Sequence, residues 1–307
     1  MELTLSAINK SFGDKHVLRD VGFTVKSGSA FGLLGRNGAG KTTTIRIIMG
    51  VFPADSGTVS IDGQQVSKTG KTFGYLPEER GLYPKRKILD QVAYIGMIRG
   101  MARADALRAA ERWLERLDMQ AHKNELLNTL SKGNQQKIQL AATLVNDPDI
   151  IILDEPFSGL DPVNASLLKD IVREQVEDGK IVIFSSHQMG YVEEFCDSVA
   201  ILNQGEIVLD GPLRQIKRSY GRTNIFVRAD ESVGETAAVL AGVSDRIGAY
   251  AKSVAPYEDG AVIGLYDESM RGALLAALSD AGVNLEQFRV LEPTLEQIFI
   301  EKAGDAQ

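Results

Sequence analysis

Cysteine is almost missing from this sequence: Cys196 stands alone among 307 residues, so no intramolecular disulfide braces the fold. Proline is scarce, at 9 residues, and aromatic residues make up only 7%. Collagen-like, disulfide-rich and disordered classes are excluded by that balance together with 44% hydrophobic and 24% charged residues. Nothing approaches the ~18–20 unbroken apolar residues that cross a bilayer. The strongest runs, Ile150–Leu153 and Ile181–Phe184, have the length of buried strands. Met1-Glu2-Leu3-Thr4 carries no leader pattern, and a reducing cytoplasm is the expected setting. An excess of basic charge is also lacking. The net charge is −7, which argues against a general binder of nucleic-acid backbones.

The negative charge is unevenly placed. From Arg222 onward there are 7 Lys+Arg and 14 Asp+Glu, while the 27 basic and 27 acidic residues before it cancel. A domain boundary is therefore expected near residue 221, giving domains of 1–221 and 222–307.

The first part reads as an α/β domain with a mainly parallel sheet, its strands expected at Ala30–Leu34, Thr72–Leu76, Ile150–Leu153, Ile181–Ser185 and Val199–Leu202. Ahead of these, Leu3–Ile8, Val17–Leu18 and Val21–Val25 alternate apolar with polar residues around Gly13–Asp14, the pattern of an antiparallel edge sheet. Between about residues 84 and 146, Ala93, Met97, Leu107, Trp113, Leu117 and Leu140 recur at helical spacing, predicting an inserted helical subdomain. The tail reads as strand Asn224–Arg228, helix Val233–Ala241, strand Ile247–Ala255, a turn at Glu258–Gly260, strand Ala261–Tyr266, helix Met270–Ala281, strand Val283–Leu291 and a closing helix Thr294–Lys302. The order βαββαβ is that of a small α+β, ferredoxin-like domain.

Gly35-Arg-Asn37-Gly38-Ala-Gly40-Lys41-Thr42-Thr43 follows one predicted strand and opens a helix, matching GxxxxGK[ST]. Glycines leave backbone N–H groups free to wrap phosphate oxygens, and the helix N-terminus adds its positive end. Lys41 is expected to reach the β- and γ-phosphates, and the Thr42 hydroxyl to bind Mg²⁺. A second strand ends in Asp154-Glu155-Pro156, which places two carboxylates where open α/β sheets hold their ligands. Asp154 is expected on the metal through a water, and Glu155 as the base that polarises the attacking water.

Leu130-Ser131-Lys132-Gly133-Asn134-Gln-Gln-Lys137 precedes that strand by some twenty residues. With it the set resembles the ATP-binding subunits of ABC transporters, whose signature is usually written LSGGQ. Tyr75-Leu-Pro-Glu78 stands at the family's Q-loop, Ser158-Gly-Leu-Asp161 looks like its D-loop and Ser185-Ser-His187 like its H-loop. The resemblance covers roughly residues 1–220, six motifs in one order. It implies an ATPase with ATP and Mg²⁺ as cofactors, and with Lys41, Glu155 and His187 as its catalytic residues. It further implies nucleotide contacts by Gly35, Asn37, Gly38, Gly40, Thr42, Thr43, Glu78, Asp154 and Asp161, stacking of adenine on Phe12, and a metal held by Thr42, Asp154 and Glu78. His187 would donate to the γ-phosphate, an imidazole being able to carry or lose its proton near neutrality.

Ser131 and the Gly133 N–H would reach the γ-phosphate of a second copy, so a head-to-tail homodimer is implied. Work would pass to a separate integral-membrane permease, leaving the chain cytoplasmic and peripheral on the inner face of the cell membrane. Glu78 replaces the usual Gln, which implies either a firmer metal contact or an altered coupling to that permease. Lys132 and Asn134 replace the usual Gly and Gln, and the added cation either assists the phosphate or is solvated. Glu292-Pro-Thr-Leu-Glu-Gln-Ile-Phe299 resembles the closing segment of subunits that serve ABC-2-type export permeases for sodium or drugs. The competing reading is a soluble ABC ATPase acting on nucleic acid or ribosomes. Opposing it, the chain has neither a second cassette nor a long coiled-coil insertion.

Overall fold

A computed structural model describes residues 1–79, 81–157, 160–230 and 235–304. The chain opens with two long strands, β1 (Glu2–Phe12) and β2 (Lys15–Lys26), then β3 (Ala30–Leu34) and the helix α1 (Lys41–Ile48). Next come β4 (Ser56–Ile61), β5 (Gln64–Gln65) and β6 (Phe73–Leu76). The helical insertion follows as α2 (Ile88–Ile98), α3 (Arg103–Arg116) and α4 (Lys132–Leu144). Then β7 (Ile150–Asp154), α5 (Pro162–Glu177), β8 (Ile181–Ser186), α6 (Met189–Phe195), β9 (Ser198–Asn203), β10 (Glu206–Pro212) and α7 (Leu213–Ser219) alternate. The remainder is β11 (Asn224–Ala229), α8 (Thr236–Gly242), α9 (Ser244–Ile247), β12 (Ala251–Tyr257), β13 (Gly260–Leu265), α10 (Arg271–Asp280), β14 (Leu285–Val290) and α11 (Leu295–Gly304).

Two compact units divide between Leu213 and Arg214, the second running to Glu301. That division lies eight residues before the point read from charge. The helix α7 that bridges the two positions is itself basic, with Arg214, Lys217 and Arg218, so the acidic balance begins later than the fold does.

In the first unit a six-stranded sheet runs β10-β9-β3-β8-β7-β6. Its four pairings from β9 to β6 are parallel and only β10 is antiparallel. Ile150, Ile152, Ile181 and Ile183 are fully buried, as strands covered on both faces require. A four-stranded antiparallel sheet, β2-β1-β4-β5, is the expected edge sheet. Its Leu3, Leu5, Ile8, Val21, Phe23 and Val25 join Phe31, Leu33, Ile45 and Ile48 in one core.

In the helical insertion Arg99 closes α4. Its guanidinium donates to the carbonyls of Ala142 (3.1 Å) and Thr143 (2.9 Å) and to Asn146 Oδ1 (2.8 Å). Helix C-termini leave such carbonyls without intrahelical donors, so α2 fixes the end of the helix that Ser131 begins.

The second unit has an antiparallel sheet in the order β12-β13-β11-β14. Numbered within the unit this is 2-3-1-4, the order of a ferredoxin-like split βαβ. Its core joins Ile225 and Val227 to Leu240, Ile263, Leu274 and Leu278. The helix read at Val233–Ala241 is seen from Thr236 onward, Val233 and Gly234 lying outside the described residues. One strand is corrected. Ile247 is not the start of β12 but the buried end of α9, and Gly248–Tyr250 turn before β12 begins at Ala251. A short apolar run does not separate helix from strand.

β1 bulges at Ala7, whose φ is +50°, and Gly57 of β4 lies against that bulge. Gly57 has φ +90°, and a Cβ there would sit 2.3 Å from the Ala7 carbonyl oxygen. Gly63 has φ +78° with open space around it. Gly57→Ala is therefore expected to cost about 2–4 kcal/mol, strain plus a broken β1–β4 approach, and Gly63→Ala about 1 kcal/mol. Urea unfolding of the two variants checks this, and equal midpoints would contradict the close approach.

Candidate functional site

Four neighbouring parallel strands end at the same edge of the sheet. β3 runs into the glycine loop, β8 into His187, β7 into Glu155 and β6 into Pro77–Glu78. Register brings the ends level, with Leu34 beside Ser186, Asp154 beside Ser185 and Leu76 beside Leu153. Residues more than a hundred positions apart in sequence thus share one crevice, which is where open α/β sheets bind ligands.

That crevice is a cleft of ≈ 460 Å³ lined by Phe12, Asn37, Gly38, Gly40, Lys41, Thr42, Thr43, Glu78, Asp154 and Glu155, joined by Lys15, Val17 and Arg36. Ten residues singled out in the sequence are therefore together. The glycine loop needs its glycines in different ways. Gly40 has φ +113°, and a Cβ on it would lie 2.6 Å from Leu18 Cδ2; Gly38, with φ +81°, faces open space. Gly40 is demanded by packing as well as by conformation, Gly38 by conformation alone.

Lys41 heads α1 and is only 7% exposed. Its Nζ donates to the carbonyls of Gly35 (2.6 Å) and Arg36 (3.4 Å) and lies 3.9 Å from Glu155 Oε1. Burial pushes its ammonium below the ordinary lysine value, opposed by the charges of Glu155, Asp154 and Glu78. Carbonyls and a carboxylate supply acceptors to the cation, and phosphate oxygens offer the same kind of acceptor.

The two carboxylates on β7 are held differently. Asp154 accepts from Tyr75 Oη (3.1 Å) and, by a short bond, from Ser185 Oγ. Desolvation and the Asp154 charge raise the Tyr75 phenol well above its usual range, so Tyr75 stays a donor. Glu155, 5% exposed, adopts φ +50°, a left-handed conformation that costs a side-chain-bearing residue ~1–3 kcal/mol. Its N–H donates to the Ser185 carbonyl (2.9 Å). Its carboxylate accepts from Ser186 Oγ (3.1 Å), from the His187 N–H (2.8 Å) and from His187 Nδ1 (2.7 Å). An ionised carboxylate only accepts, so Nδ1 carries the proton, and Nε2 can donate as well only in the imidazolium form.

His187 does not line the cleft but is tied to it through Glu155. Gly35 meets it through its carbonyl on Lys41. Ser131, Gly133 and Asp161 lie elsewhere. Ser131 caps α4, its Oγ accepting from the Asn134 N–H (3.3 Å). Asp161 caps α5 by accepting from the N–H groups of Val163 and Asn164, both at 3.0 Å, bonds that lower its pKa below the usual carboxylate value, the Asn164 N–H foremost. Gly133 faces this cap: a Cβ on it would lie 3.1 Å from Asn164 Nδ2. Ser158 and Gly159 of the same loop lie outside the described residues.

Lys15 and Val17 as lining residues, and Tyr75, Ser185 and Ser186 as holders of the carboxylates, are not marked in those roles by any local motif. Arg36, a further lining residue, stands inside the glycine motif and could have been found there. The others are brought in only by strand pairing.

Among the described residues no group of three or more His, Cys, Asp and Glu forms a metal cage. Thr42, Asp154 and Glu78 nonetheless put three oxygen donors into one cleft, a set suited to a hard cation that keeps waters and takes its other oxygens from phosphates.

Residues 18–158 match the ABC transporter family, and residues 211–303 match the C-terminal domain of the ATP-binding protein DrrA1-3-like family. An uncharacterized ABC transporter ATP-binding protein of Bacillus subtilis, YhaQ, is 40% identical over 304 residues, 98% of each chain. The linearmycin resistance ATP-binding protein LnrL of the same organism is 31% identical over 97% of this chain and 96% of its own. The Nod factor export ATP-binding protein I of Burkholderia lata is 33% identical over 66% of this chain and 68% of its own. Among solved structures, an ATP-binding subunit of an ABC transporter superposes with a TM-score of 0.66 at 30% identity, covering 72% of this chain and 94% of that one. The chain belongs to the ATP-binding subunits of ABC transporters, which bind and hydrolyse ATP to power a membrane transporter rather than acting on nucleic acid or ribosomes.

Proposed function

We propose that the chain is the motor of an exporter: a homodimer that closes around two ATP molecules with Mg²⁺ and drives a separate ABC-2-type permease from the cytoplasmic face of the membrane. The observation that carries the dimer is the division of the site. One cleft contains Phe12, the glycine loop, Glu78, Asp154 and Glu155, while Ser131 and Gly133 sit apart from it beside Asp161. A triphosphate in the cleft would have a wall on one side only, and a second copy placed head to tail supplies the other. Export is supported by the names of the linearmycin resistance and Nod factor relatives and by the DrrA-like C-terminal match. No helix among the described residues is long and apolar enough to cross a membrane, which fits a partner that supplies the pore.

In this reading Lys41 donates to β- and γ-phosphate oxygens. Backbone N–H groups from Asn37 to Thr43 wrap the phosphates. Thr42, Asp154 and Glu78 would hold Mg²⁺, which when bound would neutralise charge on the phosphate oxygens. Glu155 takes the proton of the attacking water. His187 orients Glu155 through Nδ1–H and, as imidazolium, donates from Nε2 toward the γ-phosphate. Residues 1–221 form the ATPase cassette and 222–307 an accessory module.

Glu155→Gln keeps the shape and removes the base, so it is expected to bind MgATP while hydrolysing it ~10²–10⁴-fold more slowly. Steady-state ATPase assays read the rate, and parental turnover would assign the base elsewhere. The same variant should elute as an ATP-stabilised dimer in size exclusion. Mixed chains test the shared site: Ser131→Ala and Lys41→Ala should each be inactive alone, and a mixture should regain activity because one intact site reassembles. No recovery in the mixture would oppose the dimer. A chain ending at Gly221 is expected to stay folded and bind MgATP, measured by calorimetry and thermal unfolding; loss of binding would make the tail part of the cassette.

A further inference from the structure

The adenine-stacking role given above to Phe12 leaves open what holds its ring in place. Phe12 is the last residue of β1, next to the Gly13–Asp14 turn, and it is 50% exposed. A strand end beside a turn frays easily, and a half-exposed aromatic there would sample several rotamers. Around Phe12 the structure instead has a closed set of contacts.

Asp55, just before β4, accepts from Lys10 Nζ through Oδ1 (2.7 Å) and from the Ser11 N–H through Oδ2 (2.6 Å). Its own N–H donates to the Asn9 carbonyl (2.9 Å). The backbone on the N-terminal side of Phe12 is thereby tied to a carboxylate more than forty residues along the chain. Lys10 is the second piece. Its side chain is only 12% exposed, and its ammonium lies over two rings, 5.5 Å from the Phe12 centroid and 5.6 Å from that of Phe52. Those rings meet edge to face, 5.6 Å apart at 87°. The cation covers one face of Phe12 and Phe52 fixes its tilt, so a base has one face left on which to stack. Hydrogen bonding to Lys10, then to Ser11, holds the Asp55 carboxyl below the usual carboxylate range, so it remains ionised and the pair persists. Neither Lys10 nor Asp55 lines the phosphate cleft.

We propose that Lys10 and Asp55 are positioning residues for the nucleobase: they set the Phe12 ring and so control the base-dependent part of nucleotide affinity without touching phosphate binding. The proposal rests on the reading of Phe12 as the base platform. Its signature is a split between two ligands that share the phosphate chain and differ in having a base.

The test uses the full chain and calorimetric titration with MgATP and with magnesium tripolyphosphate. Asp55→Ala and Lys10→Met are expected to weaken MgATP about three- to tenfold, the loss of an ordered stacking partner, while tripolyphosphate binds as it does to the parent. Asp55→Asn keeps an acceptor for the Ser11 N–H and loses the ion pair, so it should fall between parent and Asp55→Ala. Phe12→Ala should show the largest base-dependent loss, and adding Asp55→Ala to it should cost nothing more, since the two act through one ring. Unchanged tripolyphosphate affinity also reports that each variant is folded. The proposal is overturned if Asp55→Ala weakens both ligands alike, or neither. If Phe12→Ala leaves the ratio of the two affinities as in the parent, the base platform is misassigned. That outcome is separate from a failed clamp, in which Phe12→Ala splits the ligands and Asp55→Ala does not.

Discussion

A lysine ammonium buried at the start of a helix needs acceptors, and around Lys41 much of the site is arranged to supply them. Two come from the loop's own carbonyls, those of Gly35 and Arg36, and a carboxylate, Glu155, stands close by from across the sheet. The loop must therefore curl back on itself, which Gly38 and Gly40 permit with positive φ. Glu155 must turn its side chain into the crevice, which it does in a left-handed backbone conformation. That conformation is held by Ser185, Ser186 and His187 of the neighbouring strand. The strand order β3-β8-β7 is what makes these demands compatible, because it places the end of β8 between the lysine's loop and the glutamate's strand.

The sequence discloses the parts of this arrangement that are contiguous. A glycine loop, a pair of acids after an apolar strand and a histidine after another can each be read where they stand, because backbone chemistry fixes their spacing. Contacts between strands are not written in that way. Nothing about Tyr75 or Ser185 announces that both will donate to Asp154, since this depends on β6 and β8 flanking β7. The fold behaves likewise. Buried apolar strands and periodic helices were legible; β4 and β5, which lack an apolar run, were not, nor was β10, whose Ile207–Leu209 run is only half-buried. Ile247 suits a strand core as well as it suits the buried end of α9, because both demand the same apolar side chain. Asp161 caps α5 beside Gly133, an arrangement that depends on two helix starts far apart in sequence and that no local motif announces.

The C-terminal unit repeats the lesson with a different outcome. Its order of elements was readable because hairpin turns and apolar alternation are local, and the 2-3-1-4 sheet follows from how split βαβ units must close. Packing divides the chain after Leu213 and charge near residue 221, because charge carries no information about where a basic helix such as α7 belongs.

The cleft has one property that its individual residues conceal. Lys15, Arg36 and Lys41 bring three positive charges to its lining, and Glu78, Asp154 and Glu155 bring three negative ones. A lining balanced in this way projects little field into solvent, because its opposite charges cancel over distances beyond a Debye length of ~8 Å at physiological salt. An incoming nucleotide is therefore not steered from afar as a polyanion is toward a basic groove. It meets the site by ordinary diffusion and is recognised only on arrival, by backbone N–H groups and a single buried ammonium. A lining of this kind adds little ionic-strength dependence of its own to the capture of a nucleotide.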